Sequence, residues 1–387
     1  MNDAPHPALL PTGMHDLLPP EAEVEAQVVS RLMATLAAHG YQRVKPPLVE
    51  FEETLLSGAG AAMASATFRT MDPGSHRMVA VRADMTPQIA RIAATRLGNA
   101  PRPLRLSYAG QVLRVKGSEI RPERQIGQVG AELIGAAGPA ADVEAIATAG
   151  EALEALGVPH LSVDVTLPTL VPAVTEAYDI AGERAMALRA ALDHKDAAAV
   201  AATAGAAGDL LGRLLAAAGP AAEALAALDR LELPGRARAE RLRLGIVLDG
   251  LAVAAPQLKV TVDPVENRGF EYHTGISFTF FAGGAAACGS GGELGRGGRY
   301  EAGDPAAPEP ATGFTLYTDT ILRTLPDMPA CRRLLLPHGA DRAHARVLRE
   351  AGWITVSALE PAADWRAEAR RLGCTHVLLD GQPRGLG

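Results

Sequence analysis

Residues 104 to 135, LRLSYAGQVLRVKGSEIRPERQIGQVGAELIG, read as two strands joined by a polar loop. The second strand, Arg124 to Ile134, constrains the fold most. Side chains alternate along a strand, so Gln128, Gly130 and Glu132 share one face and Val129, Ala131 and Leu133 the other. A glycine between an amide and a carboxylate leaves a hollow floored by polar groups. With Arg114 at the far end of the hairpin, the set can grip a small zwitterion: a carboxylate attracts an ammonium and a guanidinium attracts a carboxylate. The same alternation also describes the solvated face of an ordinary antiparallel hairpin, and the pattern alone does not separate the two.

At 387 residues the chain exceeds the size at which a single core stops growing, so two or three domains are expected. Net charge is −7, and the few lysines (Lys45, Lys116, Lys195, Lys259) form no basic run; that balance leans against a polyanion as the principal ligand. Cys288, Cys331 and Cys374 lie far apart, without metal-ligand spacing, which fits a reducing compartment. The N-terminus lacks a basic segment followed by an apolar core, and no uninterrupted apolar run of about 18 residues occurs. A soluble, cytoplasmic protein is the expectation.

Pro19-Pro20 followed by Glu21, Glu23 and Glu25 marks a helix start; the helix runs to about His39. Two short strands flank the turn Asp72-Pro73-Gly74. In VRADMTPQIARIAATRLG, Thr86 before Pro87 has the form of an N-cap with proline at the first helical position, and the cap alone accounts for it. Residues 172 to 255 are Ala-rich and helical in period, with helices near 172–181, 183–192, 196–203, 208–217, 220–230 and 236–253. Strand character returns in NRGFEYHTGISFTFFAGG, where a lone histidine such as His273 is more often a satisfied structural residue than a catalyst. The Gly-rich segment 283–298 matches neither a P-loop nor a dinucleotide fingerprint. Residues 332 to 380 alternate as βαβαβ, which predicts a small parallel sheet.

Seven stretches in order resemble one family, the class II histidyl-tRNA synthetases and their non-synthetase relatives. PTGMHDLLP resembles the N-terminal arm, HGYQRVKPPLVE the first class motif, VRADMTPQIAR the amino-acid loop and the 104–135 hairpin the second class motif. NRGFEYHTG resembles the histidine-specific segment, GRGGRYE the segment after it and ATGFTLYTDTILR the third class motif. The resemblance covers about residues 8 to 325 outside the helical stretch. It implies an α+β fold: a class II synthetase-like antiparallel sheet flanked by helices, with a helical insertion and a small C-terminal α/β domain. The expected division is 1–171 and 256–325 for the two parts of the core, 172–255 for the insertion and 330–387 for a shortened relative of an anticodon-binding domain.

The resemblance carries histidine contacts to Asp84, Thr86, Arg114, Gln128, Glu132, Arg268, Tyr272, His273 and Tyr300. Asp84 stands where a glutamate is usual, and His273 where a second tyrosine is usual. The nucleotide end departs further. Lys116 replaces a glutamate that helps hold ATP, and the third motif's triphosphate-clamping arginine falls on Thr320, which removes a fixed cationic fork. A histidine site without ligation chemistry resembles the regulatory subunits of ATP phosphoribosyltransferase. That likeness implies a non-catalytic protein without cofactor or metal, a short-form catalytic subunit as partner, histidine as effector, a homodimer core within a hetero-oligomer, and no tRNA or membrane partner. The alternatives are a divergent histidyl-tRNA synthetase, against which Lys116, Thr320 and the net acidity speak, and a stand-alone histidine-binding module.

Overall fold

The computed structural model describes residues 9–117, 122–266, 272–283, 292–303, 306–326 and 332–386. The chain divides into two compact units, Met1–Pro326 and Asp327–Gly387.

The first unit opens with α1 (Glu21–Ala38), whose buried Val28, Leu32 and Leu36 recur every fourth residue on one stripe. Glu21 and Glu23 occupy its first turn, where the helix dipole favours negative charge. Then come β1 (Gln42–Arg43), β2 (Val49–Phe51), α2 (Glu52–Leu55), β3 (Arg69–Met71), β4 (Met78–Val81) and α3 (Thr86–Thr95). The hairpin is β5 (Leu104–Leu113) and β6 (Gln125–Ile134), followed by α4 (Pro139–Leu156) and β7 (Leu161–Thr166). The helical stretch holds α5 (Leu170–Ala177), α6 (Gly182–Asp193), α7 (Ala197–Ala204), α8 (Gly208–Ala216), β8 (Gly219–Pro220), α9 (Ala221–Asp229) and α10 (Gly235–Ala254). The unit closes with β9 (Lys259–Asp263), β10 (Ser277–Ala282), β11 (Glu293–Ala302), β12 (Glu309–Tyr317) and α11 (Thr318–Thr324).

Nine strands form one sheet in the order β1-β5-β6-β12-β11-β10-β7-β9-β8. Its centre is antiparallel, as expected; the pairs β1–β5 and β7–β9 are parallel, so the sheet is mixed toward its edges. The two faces are buried differently. Val129, Ala131, Phe278, Phe280, Phe314 and Leu316 pack with α1, α4 and the helical stretch in the main core. Leu106, Tyr108, Ile126, Tyr300 and Tyr317 pack with Met85 and Ile89 of the α3 segment in a second, smaller core. The stretch Ala197–Ala216 is apolar and long enough to cross a membrane by length and composition. However, Gly205, at φ +57°, separates α7 from α8, and Val200, Leu211 and Leu214 sit in the main core.

The second unit contains β13 (Arg333–Leu336), α12 (Arg342–Glu350), β14 (Ile354–Ser357), α13 (Trp365–Arg371), β15 (His376–Leu379) and β16 (Gln382–Gly385). Asp341 and Asp364 cap its helices by accepting backbone N–H bonds. The order is β14-β13-β15-β16. The first three strands are parallel, as the alternation predicts. The sequence reading stops one strand short, because β16 turns back antiparallel on β15.

Candidate functional site

Strand register assembles the site on the α3 side of the large sheet. Leu106, Glu132, Gly313, Gly298 and Ser277 lie opposite one another across five strands. The next row on the same face is Tyr108, Gly130, Thr315, Arg296 and Thr279. Beyond it Gly110, Gln128 and Tyr317 align. Glycines at the row centres make room for side chains from neighbouring strands. A methyl group at Gly313 would collide with the Glu132 carboxylate, one at Gly298 with the His273 ring, and one at Gly130 with the Tyr108 phenol.

The resulting cleft encloses about 350 Å³, open mouth included. Its floor is Glu132, 1 % exposed. Tyr300 OH donates to Glu132 Oε2 (2.9 Å), and Thr86 Oγ1 (3.0 Å) and Tyr108 OH (3.3 Å) donate to Oε1. Burial raises the Glu132 carboxyl from 4.5 to about 8, although these three hydroxyls pull the other way and Asp84 adds to the rise. The solvated-face alternative is thereby excluded for this strand, since Gln128 is also 1 % exposed.

Asp84 enters from the loop between β4 and α3. Its Oδ1 accepts the backbone N–H of Thr86 (2.9 Å), two residues on, the local bond that aspartate favours at turns. Its Oδ2 accepts from Gln128 Nε2 (3.1 Å), and Gln128 Oε1 accepts the Met85 N–H (3.1 Å). Gln128 therefore lies beneath Asp84 and fixes the loop. The buried Arg82 guanidinium pins the same loop by donating to the carbonyls of Gln111 (2.8 Å) and Pro46 (3.2 Å). Thr86 is not the N-cap that its sequence context suggests. Met85 is the cap, without a side-chain bond, and the Thr86 hydroxyl is turned to Glu132. The carboxylate competes better for that donor than a helix N–H does for its oxygen.

Tyr272 and His273 stand over the other side, their ring centroids 4.1 Å apart, with Tyr272 edge-on to Tyr300 at 6.3 Å. Tyr272 is 39 % exposed and His273 6 %. Arg299, next to Tyr300, points to the opposite face. There it donates to Asp142 of α4 (Nε to Oδ1, 3.0 Å) and to the carbonyls of Ala136 and Gly138, both 2.9 Å. That buried ion pair ties the site strand to the main core.

Asp84, Thr86, Glu132, Tyr272, His273 and Tyr300 thus line one cleft, with Gln128 directly behind it. Arg114 does not line it; its Nε donates to the Ala83 carbonyl at 3.4 Å. Arg268 lies outside the described residues. Lys116 is exposed, while Thr320 is 1 % exposed on α11. Arg323, one turn further, pairs with Glu123 (2.9 Å) and Asp319 (3.1 Å). Sequence reading missed Arg296, Thr315 and Tyr317, which complete the lining; the even spacing of Arg296, Gly298 and Tyr300 was the signal available.

In chemical terms the lining offers two acids, the hydroxyls of Thr86, Tyr272, Tyr300, Thr315 and Tyr317, and a guanidinium. Among the described residues no group of three or more His, Cys, Asp or Glu side chains is placed to hold a metal.

The family model described as histidyl-tRNA synthetase matches residues 13–321. An ATP phosphoribosyltransferase regulatory subunit from Paramagnetospirillum magneticum is 59 % identical over 378 residues, covering 98 % of both chains. One from Rhodospirillum centenum is 58 % identical, covering 98 % of this chain and 96 % of its own. A crystal structure described as an ATP phosphoribosyltransferase regulatory subunit/histidyl-tRNA synthetase from Bacillus halodurans C superposes with a TM-score of 0.78 at 24 % identity. It covers 95 % of this chain and 97 % of that one.

Proposed function

The chain belongs to the family of ATP phosphoribosyltransferase regulatory subunits, on the class II histidyl-tRNA synthetase fold, and from that premise we propose that it senses free histidine. In this reading it is a cytoplasmic, non-catalytic subunit. It assembles with a short-form catalytic subunit, as a homodimer core within a hetero-oligomer, and is required for the first step of histidine biosynthesis. Histidine in the cleft inhibits that step. Inhibition requires histidine to bind two assembly states with different affinity.

The observation that carries the reading is the buried Glu132 carboxyl, held by Thr86, Tyr108 and Tyr300 and facing a cleft that also contains Asp84. A group desolvated in this way favours a ligand that brings positive charge or a hydrogen-bond donor. The residues carried over as histidine contacts are Asp84, Thr86, Glu132, Tyr272, His273 and Tyr300 in the lining, Gln128 behind it, and Arg114 and Arg268 by resemblance. Loss of adenylate chemistry is supported by Thr320, an uncharged side chain buried in α11. Transfer at a phosphate needs a positioned cation for the developing charge, and nearby Arg323 is engaged by Glu123 and Asp319.

Isothermal titration of the full chain with histidine tests the site. Glu132→Ala is expected to abolish measurable binding while the fold persists, and retained affinity would place the site elsewhere. Co-purification with a short-form catalytic subunit, giving an activity that neither has alone, tests the partner. Histidine-dependent exchange of pyrophosphate with ATP by the purified chain would instead make it a synthetase.

A further inference from the structure

The cleft is lined by acids and by a guanidinium, and the guanidinium is unassigned. Asp84 and Glu132 are the acids. Arg296 lines the same cleft; it stands one row along the sheet from Glu132, opposite Thr315 on β12 and Thr279 on β10. Glu293, three residues earlier, accepts from Arg296 Nε at 2.8 Å and lies 2.8 Å from its Nη2. These contacts orient the guanidinium. Burial works against its charge, but Tyr317 and Glu293 beside it outweigh burial and raise its pKa. Tyr272 lines the cleft with them. Burial raises its phenol pKa first, Asp84 and Glu132 add to the rise, and Arg296 opposes it. Arg114, the guanidinium that the hairpin suggests for an anion, is directed at a backbone carbonyl instead.

We propose that Arg296 is a specificity-determining residue that holds the carboxylate of the amino acid in this cleft, so that the site selects a free amino acid over its decarboxylated or carboxyl-neutral counterpart. The inference rests on the histidine reading of the cleft. Its physical basis is charge complementarity: a ligand with both an ammonium or imidazole and a carboxylate matches a lining that holds both acids and a guanidinium. A planar fork recognises a carboxylate better than a point charge does.

Titration of the full chain with L-histidine, histamine and histidine methyl ester tests it. Histamine and the ester keep the ammonium and imidazole and lack the carboxylate charge. The wild-type chain is expected to prefer histidine by about tenfold or more, the range of a charge-assisted hydrogen bond. Arg296→Met should reduce that preference to about threefold or less while histamine binding persists, and Arg296→Lys should fall between. An unchanged preference in Arg296→Met overturns the assignment. So does loss of all three ligands with an unchanged melting transition, because Arg296 would then support the wall rather than read the carboxylate. If Arg296→Met does not fold, Arg296→Gln takes its place in the same comparison. A wild-type chain that binds none of the three overturns the histidine reading itself, whereas histidine binding without the preference overturns only the role of Arg296.

Discussion

Glu132 combines near-complete burial with three hydroxyl donors, and burial dominates: its carboxyl rises from 4.5 to about 8. Between those values the folded chain keeps a proton that the unfolded chain releases. Stability from this group is therefore full below about pH 4.5 and is lost as pH rises through about 8, by up to about 1.4 kcal/mol per pH unit. Glu132→Gln keeps the shape and removes the titration. The variant should unfold at higher denaturant than wild type at pH 8, with the gap closing toward pH 5. A gap of constant size across that range would show that Glu132 does not titrate there. Alternation along β6 was enough to place Glu132 and Gln128 on one face in the sequence. It did not reveal that the face is covered, because α3 and the Tyr272–His273 segment come from elsewhere in the chain. Arg296 was missed for a related reason: its even spacing from Gly298 and Tyr300 was visible, but its neighbours Thr315 and Thr279 are set by the register of two ladders, and the Gly-rich context matched no motif.

Elements with a strong period were legible. The six helices between Leu170 and Ala254 fall within a few residues of their expected positions, because buried leucines and alanines recur at helical spacing. Two departures have identifiable causes. Thr86 gives its hydroxyl to a long-range carboxylate rather than to its own helix, and no local pattern contains that partner. Strand β16 was missed although its turn was visible. Asp380 and Gly381, at φ +50° and +70°, occupy the two-residue hairpin turn that this dipeptide favours. Gly381→Ala should destabilise the second unit by about 1–2 kcal/mol, the cost of a side chain in left-handed backbone. Hydrogen exchange should quicken in β15 and β16 while β5 and β6 stay protected; uniform protection would mean that the turn is not held in this form. A deeper element-scale effect concerns β11. Asp142→Ala leaves the Arg299 guanidinium, 5 % exposed, without its carboxylate, and loss of one partner of a buried pair costs about 3–5 kcal/mol. Because Arg299 and Tyr300 are adjacent on opposite faces, this variant should also weaken histidine binding, which titration at a temperature below its melting transition would register.

At the scale of the whole molecule, the division at Pro326 separates two sets of cores. The main and site-side cores belong to the first unit. Leu335, Ala369 and Val377 centre one core of the second unit, and Leu334, Leu336 and Leu348 another. The histidine contacts proposed here all precede Pro326, as does the last residue lining the cleft, Tyr317. Among the described residues, the groups that line the cleft all belong to the first unit. A chain ending at Pro326 should bind histidine within about threefold of the full chain, a difference under about 1 kcal/mol. If the same truncation abolished co-purification with a catalytic subunit, sensing and assembly would reside in different units, and the histidine signal would have to cross the division at Pro326. If instead histidine affinity fell more than about tenfold in a truncated chain whose melting transition is intact, the second unit would be coupled to the site. The free energy of that coupling would follow from the ratio of the two dissociation constants.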